Sequence, residues 1–294
     1  MSFFRHSLFY FLRSNLLDQA RFSWFLDYTE KEWRGKKMAY KIVFFDIDGT
    51  LLNTKHAIPA ATFEAVQRLK DKGVQIAIAT GRSPYHLSNI ANQLGIDTFV
   101  SFNGSYVVSK GNVIAHTPFS TETLAKLEGM ADGNQHPMVF LSADSCYANV
   151  SDHPYVIESF DSLRLPAPAH RHRYWAEAPI YQAFLYCNAD EEEPYVDRFH
   201  EVSYVRWHKQ VLDVLPPNGS KAKGIEAALR HFGYSPDEAV AFGDGLNDKE
   251  MLAYVGMGIA MGNAHDELKP FANRITRHVD EDGIHHGLLQ LGLI

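Results

Sequence analysis

Short, continuous apolar runs recur along this chain, and several end on a polar segment that contains glycine. Ile42-Val43-Phe44-Phe45 runs into Asp46-Ile47-Asp48-Gly49, Val74–Ala79 into Thr80-Gly81-Arg82, and Ala239–Phe242 into Gly243-Asp244-Gly245. An uninterrupted apolar run of this length predicts a strand buried on both faces, as in a parallel sheet. Helical segments lie between the runs. One opens at Pro59 and carries Phe63, Val66 and Leu69 on one face, with Gly73 as its stop. Another runs from Pro84 to Gly95, and a third from about Lys221 to His231, ended by Gly233. Further short strands are expected at Thr98–Phe102 and Gly258–Met261. Apolar strands alternating with helices predict an α/β fold with a doubly wound parallel sheet. In such sheets ligands bind beyond the carboxyl ends of the strands, which is where the polar segments fall.

The rest of the chain divides around this pattern. From about Ser120 to Pro217, helices mix with alternating strands such as Met138–Leu141, Tyr181–Cys187 and Val211–Leu215, and with the His-rich connection Pro166–Arg173. That composition predicts an α+β module inserted into the first domain. Asn103-Gly104 and Lys110-Gly111 are turn signals before it. Residues 1–37 are rich in Phe, Trp, Tyr, Leu and Arg, but charges interrupt every apolar stretch before it reaches the roughly 18 residues of a membrane span. An amphipathic surface helix is one account of them. The preferred expectation is that translation starts at Met38, because Lys31–Lys37 can be encoded almost wholly in purines, as a translated ribosome-binding site would be.

Composition narrows the chemistry. The net charge of −7 and the lack of a long basic run argue against nucleic acid as a partner. Two cysteines in 294 residues, Cys146 and Cys187, suggest a reducing cytoplasm rather than a disulfide framework. Asp46 and Asp48 leave the first strand together, and Asp244 and Asp248 leave a later one. A single Asp-x-Asp is most often a turn or cap. Several carboxylates converging on one sheet edge would repel one another. A divalent cation relieves that repulsion, and oxygen-only ligands point to Mg²⁺.

Taken together and in order, the segments resemble the haloacid dehalogenase (HAD) superfamily. Phe45-Asp46-Ile47-Asp48-Gly49-Thr50-Leu51 is similar to its first motif and Ala79-Thr80-Gly81-Arg82 to its second. Lys221, in Gly219-Ser220-Lys221-Ala222-Lys223-Gly224, is similar to the third, and Phe242-Gly243-Asp244-Gly245-Leu246-Asn247-Asp248 to the fourth. Ile259-Ala260-Met261-Gly262-Asn263-Ala264 follows as in the Cof-type sugar-phosphatase branch. The resemblance implies a Rossmann-like core over about 38–118 and 218–294, with a C2-type cap of subtype IIB at about 119–217. It implies a phosphatase acting on a small phosphorylated metabolite, with no nucleic acid or membrane partner.

The implied roles are specific. Asp46 would be the nucleophile and Asp48 the general acid and base. Mg²⁺ would be held by the Asp46 side chain, the Asp48 backbone carbonyl and Asp244, with Asp248 orienting metal-bound water. Thr80, the Gly81 amide, Lys221 and Asn247 would surround the phosphoryl oxygens. Plainer roles compete with these. Thr80 could cap the helix near Pro84, and Lys223 rivals Lys221. Arg82 is expected to be structural, and His170, His172, His285 and His286 to be surface residues. Asp144, Asp152, His153 and Arg171 are candidates to touch the substrate, with solvated loop positions as the alternative. Two other functions share the motifs: a phosphomutase or phosphotransferase, and a non-catalytic phosphate-binding regulator. Comparable mutases of the superfamily carry a helical cap between the first two motifs, whereas here only Leu52–Ile58 separates Asp48 from the first helix. A regulator predicts loss of Asp46, Asp48 or Lys221, and all three are present.

Overall fold

The computed structural model describes residues 40–217 and 219–294. The expectations for residues 1–37 therefore lie outside the described residues. Two sheets organise the rest. The larger has eight strands in the order β13-β12-β11-β1-β2-β3-β4-β5. Its strands are β1 (Ile42–Phe45), β2 (Gln75–Ala79), β3 (Thr98–Ser101), β4 (Tyr106–Ser109), β5 (Asn112–His116), β11 (Ala239–Gly243), β12 (Met257–Ala260) and β13 (Arg274–Ile275). The pairings from β13 through β3 are parallel, and β4 and β5 add an antiparallel edge.

Strand period two explains how this sheet is covered on both faces. Val43 and Phe45 of β1 join one apolar cluster with Val66 and Leu69 of helix Ala60–Asp71, Leu87 of helix Pro84–Leu94 and Leu288 of helix Gly283–Gln290. Ile42 and Phe44 point the other way, to Ile225 and Leu229 of helix Lys221–Phe232 and to Met251 and Leu252 of helix Lys249–Tyr254. Burying one such Phe or Ile is worth about 1.5–3 kcal/mol. Phe63 departs from its expected place. It is 44% exposed, and the inward face of its helix is carried by Thr62, Ala65, Val66 and Leu69.

The second sheet is antiparallel, in the order β7-β6-β8-β10-β9. Its strands are β6 (Met138–Leu141), β7 (Cys146–Ala148), β8 (Gln182–Tyr186), β9 (Ser203–His208) and β10 (Val211–Leu215). Helix Thr121–Gly133 covers one face through Leu124, Leu127 and Ala131, and helix Pro154–Ser162 covers the other through Val156 and Phe160. This is a Rossmann-like core with a cap. Among the described residues, no helix is long and apolar enough to cross a membrane.

Small side chains set the distance between the larger sheet and helix Lys221–Phe232. Ala77, Ala79, Ala239, Ala241 and Ala260 line that face. A Cβ on Gly224 would stand 2.3 Å from Val100 Cγ1 and 2.8 Å from Gly104 Cα, so only glycine permits the approach. Gly104, at φ +98°, is pressed equally hard against the Ser220 carbonyl. The first turn of the helix is thereby brought up to the strand ends.

Candidate active site

β11, β1 and β2 are adjacent and parallel, so Gly243-Asp244, Asp46 and Thr80 leave the sheet side by side at its carboxyl edge. Single oxygens of Asp46, Asp244 and Asp248 lie within 4.8 Å of one another. Between two of these groups stands Lys221. Its Nζ donates to Asp46 Oδ1 and to Asp248 Oδ1, each at 2.6 Å, and the lysine side chain is fully buried. Burial works against the ammonium, but Asp248 and Asp46 outweigh it and hold the Lys221 pKa above its ordinary value.

The carboxylates differ in what already binds them. Asp248 is wholly buried, and its second oxygen accepts from the backbone N–H of Asp244 and of Gly245, both at 2.9 Å. Asp244 accepts from the Thr50 hydroxyl at 2.8 Å and from Asn263 Nδ2 at 3.3 Å. Burial pushes the Asp244 carboxyl up to about 7, against the Thr50 hydrogen bond. Burial likewise pushes Asp46 well above the usual carboxylate range, against the pull of Lys221 and with the repulsion of Asp248, Asp244 and Asp48. Fully ionised, three carboxylates beside one ammonium leave two negative charges uncompensated, and the raised pKa values of Asp46 and Asp244 reflect that crowding together with burial. A divalent cation with oxygen ligands fits that deficit. Gly49 brings the Asp48–Gly49 backbone against Asp244, since a Cβ there would lie 2.1 Å from Asp244 Oδ2.

Asp48 stands apart from this cluster. Its side chain is 52% exposed and takes a bidentate pair from Arg82, Nε to Oδ2 at 2.9 Å and Nη2 to Oδ1 at 2.6 Å. The expectation that Arg82 is merely structural missed this contact. Its position two residues after Thr80, at the same sheet edge, was the available signal. Thr80 is buried, and its hydroxyl accepts from the Arg82 N–H at 3.1 Å, while Ser83 occupies the N-cap position of helix Pro84–Leu94. Lys223 points away and pairs with Glu226 at 3.1 Å, so Lys221 is the lysine brought to the carboxylates.

Asn103 was legible only as a turn residue, yet it sits among the second- and fourth-motif segments. Its N–H donates to the Thr80 carbonyl at 3.0 Å, and its Oδ1 accepts from Asn247 Nδ2 at 2.9 Å. A Cβ on Gly81 would lie 3.1 Å from Asn103 Nδ2. The candidate substrate contacts of the cap have local partners. Asp144 accepts from the Ser142 and Ser145 hydroxyls, His153 Nδ1 accepts from the Tyr155 N–H, and Arg171 pairs with Glu177. Asp152 is exposed, in the left-handed region at φ 50°.

Known proteins share this layout. Residues 43–288 match the family model for haloacid dehalogenase-like hydrolases. YkrA of Bacillus subtilis, named as a candidate phosphatase, is 42% identical over 257 residues, which is 87% of this chain and 100% of the relative. The solved structure of a hypothetical protein of Geobacillus kaustophilus HTA426 matches with a TM-score of 0.82 at 50% identity, over 86% of this chain and 99% of the other. A sugar phosphatase of HAD subclass IIB matches with a TM-score of 0.79 at 30% identity, over 86% and 100%. The chain belongs to the haloacid dehalogenase-like hydrolase family, with the core-and-cap architecture of the subclass IIB phosphatases.

Proposed function

We propose that this protein is a Mg²⁺-dependent phosphatase that hydrolyses phosphate monoesters of small cytoplasmic metabolites, sugar phosphates foremost. The observation that carries this is Lys221 held between Asp46 and Asp248, beside Asp244, with two negative charges left over. The sugar phosphatase among the structural relatives supports the substrate class. Residues 38–118 and 218–294 would form the catalytic core and 119–217 the cap.

An Asp46 carboxylate oxygen attacks phosphorus, and the bond from phosphorus to the ester oxygen breaks. Asp48 gives its proton to the departing alcohol. Water then attacks the aspartyl-phosphate with Asp48 taking its proton, which returns Asp46 and releases inorganic phosphate. Lys221, Thr80, the Gly81 N–H and Asn247 stabilise charge on the phosphoryl oxygens. Asp46, Asp244 and the Asp48 carbonyl would hold Mg²⁺, with Asp248 fixing its water. When bound, the ion supplies the charge that lets an anionic ester approach anionic Asp46. Arg82 grips both carboxyl oxygens of Asp48 and so fixes the orientation of that side chain for proton transfer.

The test is turnover of a generic aryl phosphate and a panel of sugar phosphates, with phosphate release measured with Mg²⁺ and after verified metal removal. Mg²⁺-dependent release supports the proposal. Full turnover without metal overturns the metal assignment. Return of the phosphoryl group to the product at another position would make the protein a mutase, transfer to a second sugar a phosphotransferase, and binding without turnover a regulator.

A further inference from the structure

The chain of contacts at Asn103 continues into the cap. Asn103 Nδ2 donates to Asp213 Oδ2 at 3.4 Å. Asp213 lies in β10 of the second sheet and is 7% exposed. Its other oxygen accepts from Trp207 Nε1 at 2.7 Å, and the Gln182 side chain also bonds to it. Among the described residues its three partners are all neutral donors. A buried carboxylate without a cation is expensive compared with an apolar side chain of the same size. Asp213 is therefore hard to explain as a contribution to stability.

Its chemistry gives it another use. An ionised carboxyl only accepts hydrogen bonds, so Asn103 must turn its NH₂ toward Asp213. The Asn103 oxygen is then the end that faces Asn247, as observed. Asn247 in turn must offer NH₂ to Asn103, which leaves its second N–H free to donate. Reversing either amide would present an oxygen to the phosphoryl group instead. The strand that carries Asp213 is followed, through Pro216-Pro217, by Lys221 itself.

We propose that Asp213 of the cap is a positioning residue for phosphoryl transfer. Through Asn103 it fixes the amide of Asn247 with N–H toward the phosphoryl group, so the core's phosphoryl site is complete only with the cap seated. This rests on the proposal that Asn247 meets the phosphoryl group. Burial pushes the Asp213 carboxyl up to about 7, with Trp207, Gln182 and Asn103 acting the other way. At pH 8 the group is an acceptor.

The test is a double-mutant cycle on the full chain at pH 8, with Mg²⁺ and p-nitrophenyl phosphate. Asp213→Asn keeps the shape but brings an N–H into a ring of donors. It should lower kcat/KM by about 10-fold or more, and Asn247→Ala by about 10²-fold. Joined with Asn247→Ala, Asp213→Asn should cost less than about 2-fold, because its effect passes through the missing amide. Additive losses, or unchanged kinetics in Asp213→Asn, would overturn the relay. Circular dichroism and melting separate this from misfolding, and Asp213→Leu, which removes the buried charge, replaces Asp213→Asn if that variant does not fold. If the unaltered protein turns over no ester, the phosphatase proposal has failed. The same cycle is then read as Mg²⁺-dependent binding of inorganic phosphate by calorimetry, where non-additivity still supports the relay and additivity overturns it. Absence of both turnover and phosphate binding overturns both proposals.

Discussion

Among the described residues, Lys221 holds the only positive charge in contact with the buried carboxylates Asp46 and Asp248, and its removal separates two effects. Losing one partner of a buried pair typically costs about 3–5 kcal/mol. Lys221→Met should therefore lower unfolding stability by about that much in chelator, read by urea denaturation. Mg²⁺ should return part of the loss, since the ion replaces the missing charge, while turnover stays at least about 10²-fold down. Equal stability with and without the lysine would contradict the ion-pair geometry. Arg82 behaves differently, because its pair with Asp48 is half-exposed and such pairs are worth at most about 1 kcal/mol. Arg82→Ala should leave the melting temperature nearly unchanged and depress turnover. The loss should be larger for alkyl phosphates than for p-nitrophenyl phosphate, whose leaving group needs no proton from Asp48. Equal losses on both would remove Arg82 from the proton-transfer step.

Asp213 makes a separate prediction about pH. Its folded carboxyl is pushed up to about 7 by burial, above the ordinary carboxylate value of 3.8. Between those values the folded protein keeps a proton that the unfolded chain gives up. Stability from this group is therefore present at low pH and lost as pH rises from about 4 to about 7, on the order of a few kcal/mol in total. Asp213→Asn should flatten that part of the curve in chelator, measured by urea unfolding at several pH values. An unchanged slope would place the titration elsewhere.

At the scale of elements, helix Lys221–Phe232 matters because of how closely it packs. Helix propensity alone makes Gly224→Ala favourable by about 1 kcal/mol. Packing opposes this, since the new methyl would meet Val100 and Gly104 at 2.3 and 2.8 Å. Over-packing of this kind costs about 1–3 kcal/mol or more. The variant should be net destabilised, and turnover should fall further than stability explains, because Lys221 begins the same helix. A gain in melting temperature with normal turnover would mean that the helix can move away freely.

Across the whole molecule, the cap lies in the chain between β5 and the helix that carries Lys221, so it leaves the core from an edge strand and rejoins it at the turn that brings Lys221 to the carboxylates. A module placed there can close over a substrate and exclude water. The phosphoryl group is common to every candidate ester, so discrimination must come from the leaving group. Asp144 is one cap residue whose charge is felt in the core, where it adds to burial in raising the pKa of Tyr106. Asp144→Ala and Arg171→Ala should change kcat/KM unevenly across a phosphate panel, whereas Asp244→Ala should depress every substrate together. A cap scan that left the substrate ranking intact would reduce the cap to a lid.

The strands β1, β2 and β11 were legible because burial on both faces writes a continuous apolar run into the sequence. Asp46, Thr80 and Asp244 were legible because strand ends are where such a sheet can hold a ligand. Other features left no local trace. β9 is half-buried along its whole length, β7 has three residues and β13 two exposed ones, so neither continuous nor alternating apolarity marks them. Phe63 fell on the expected helix, but the exact rotation of that helix on its sheet set its exposure. Lys221 and Lys223 stand two apart on one helix, and only packing against β3 decided which is buried. Arg82, Asn103 and Asp213 show the limit most plainly. Each draws its role from partners 34, 144 and 110 residues away. The sequence by itself determined the sheet and the ends of its strands, since those follow from burial along a few consecutive residues. Which side chains meet across those ends was decided by the tertiary structure, because hydrogen bonds between distant segments exist only once the chain has closed on itself.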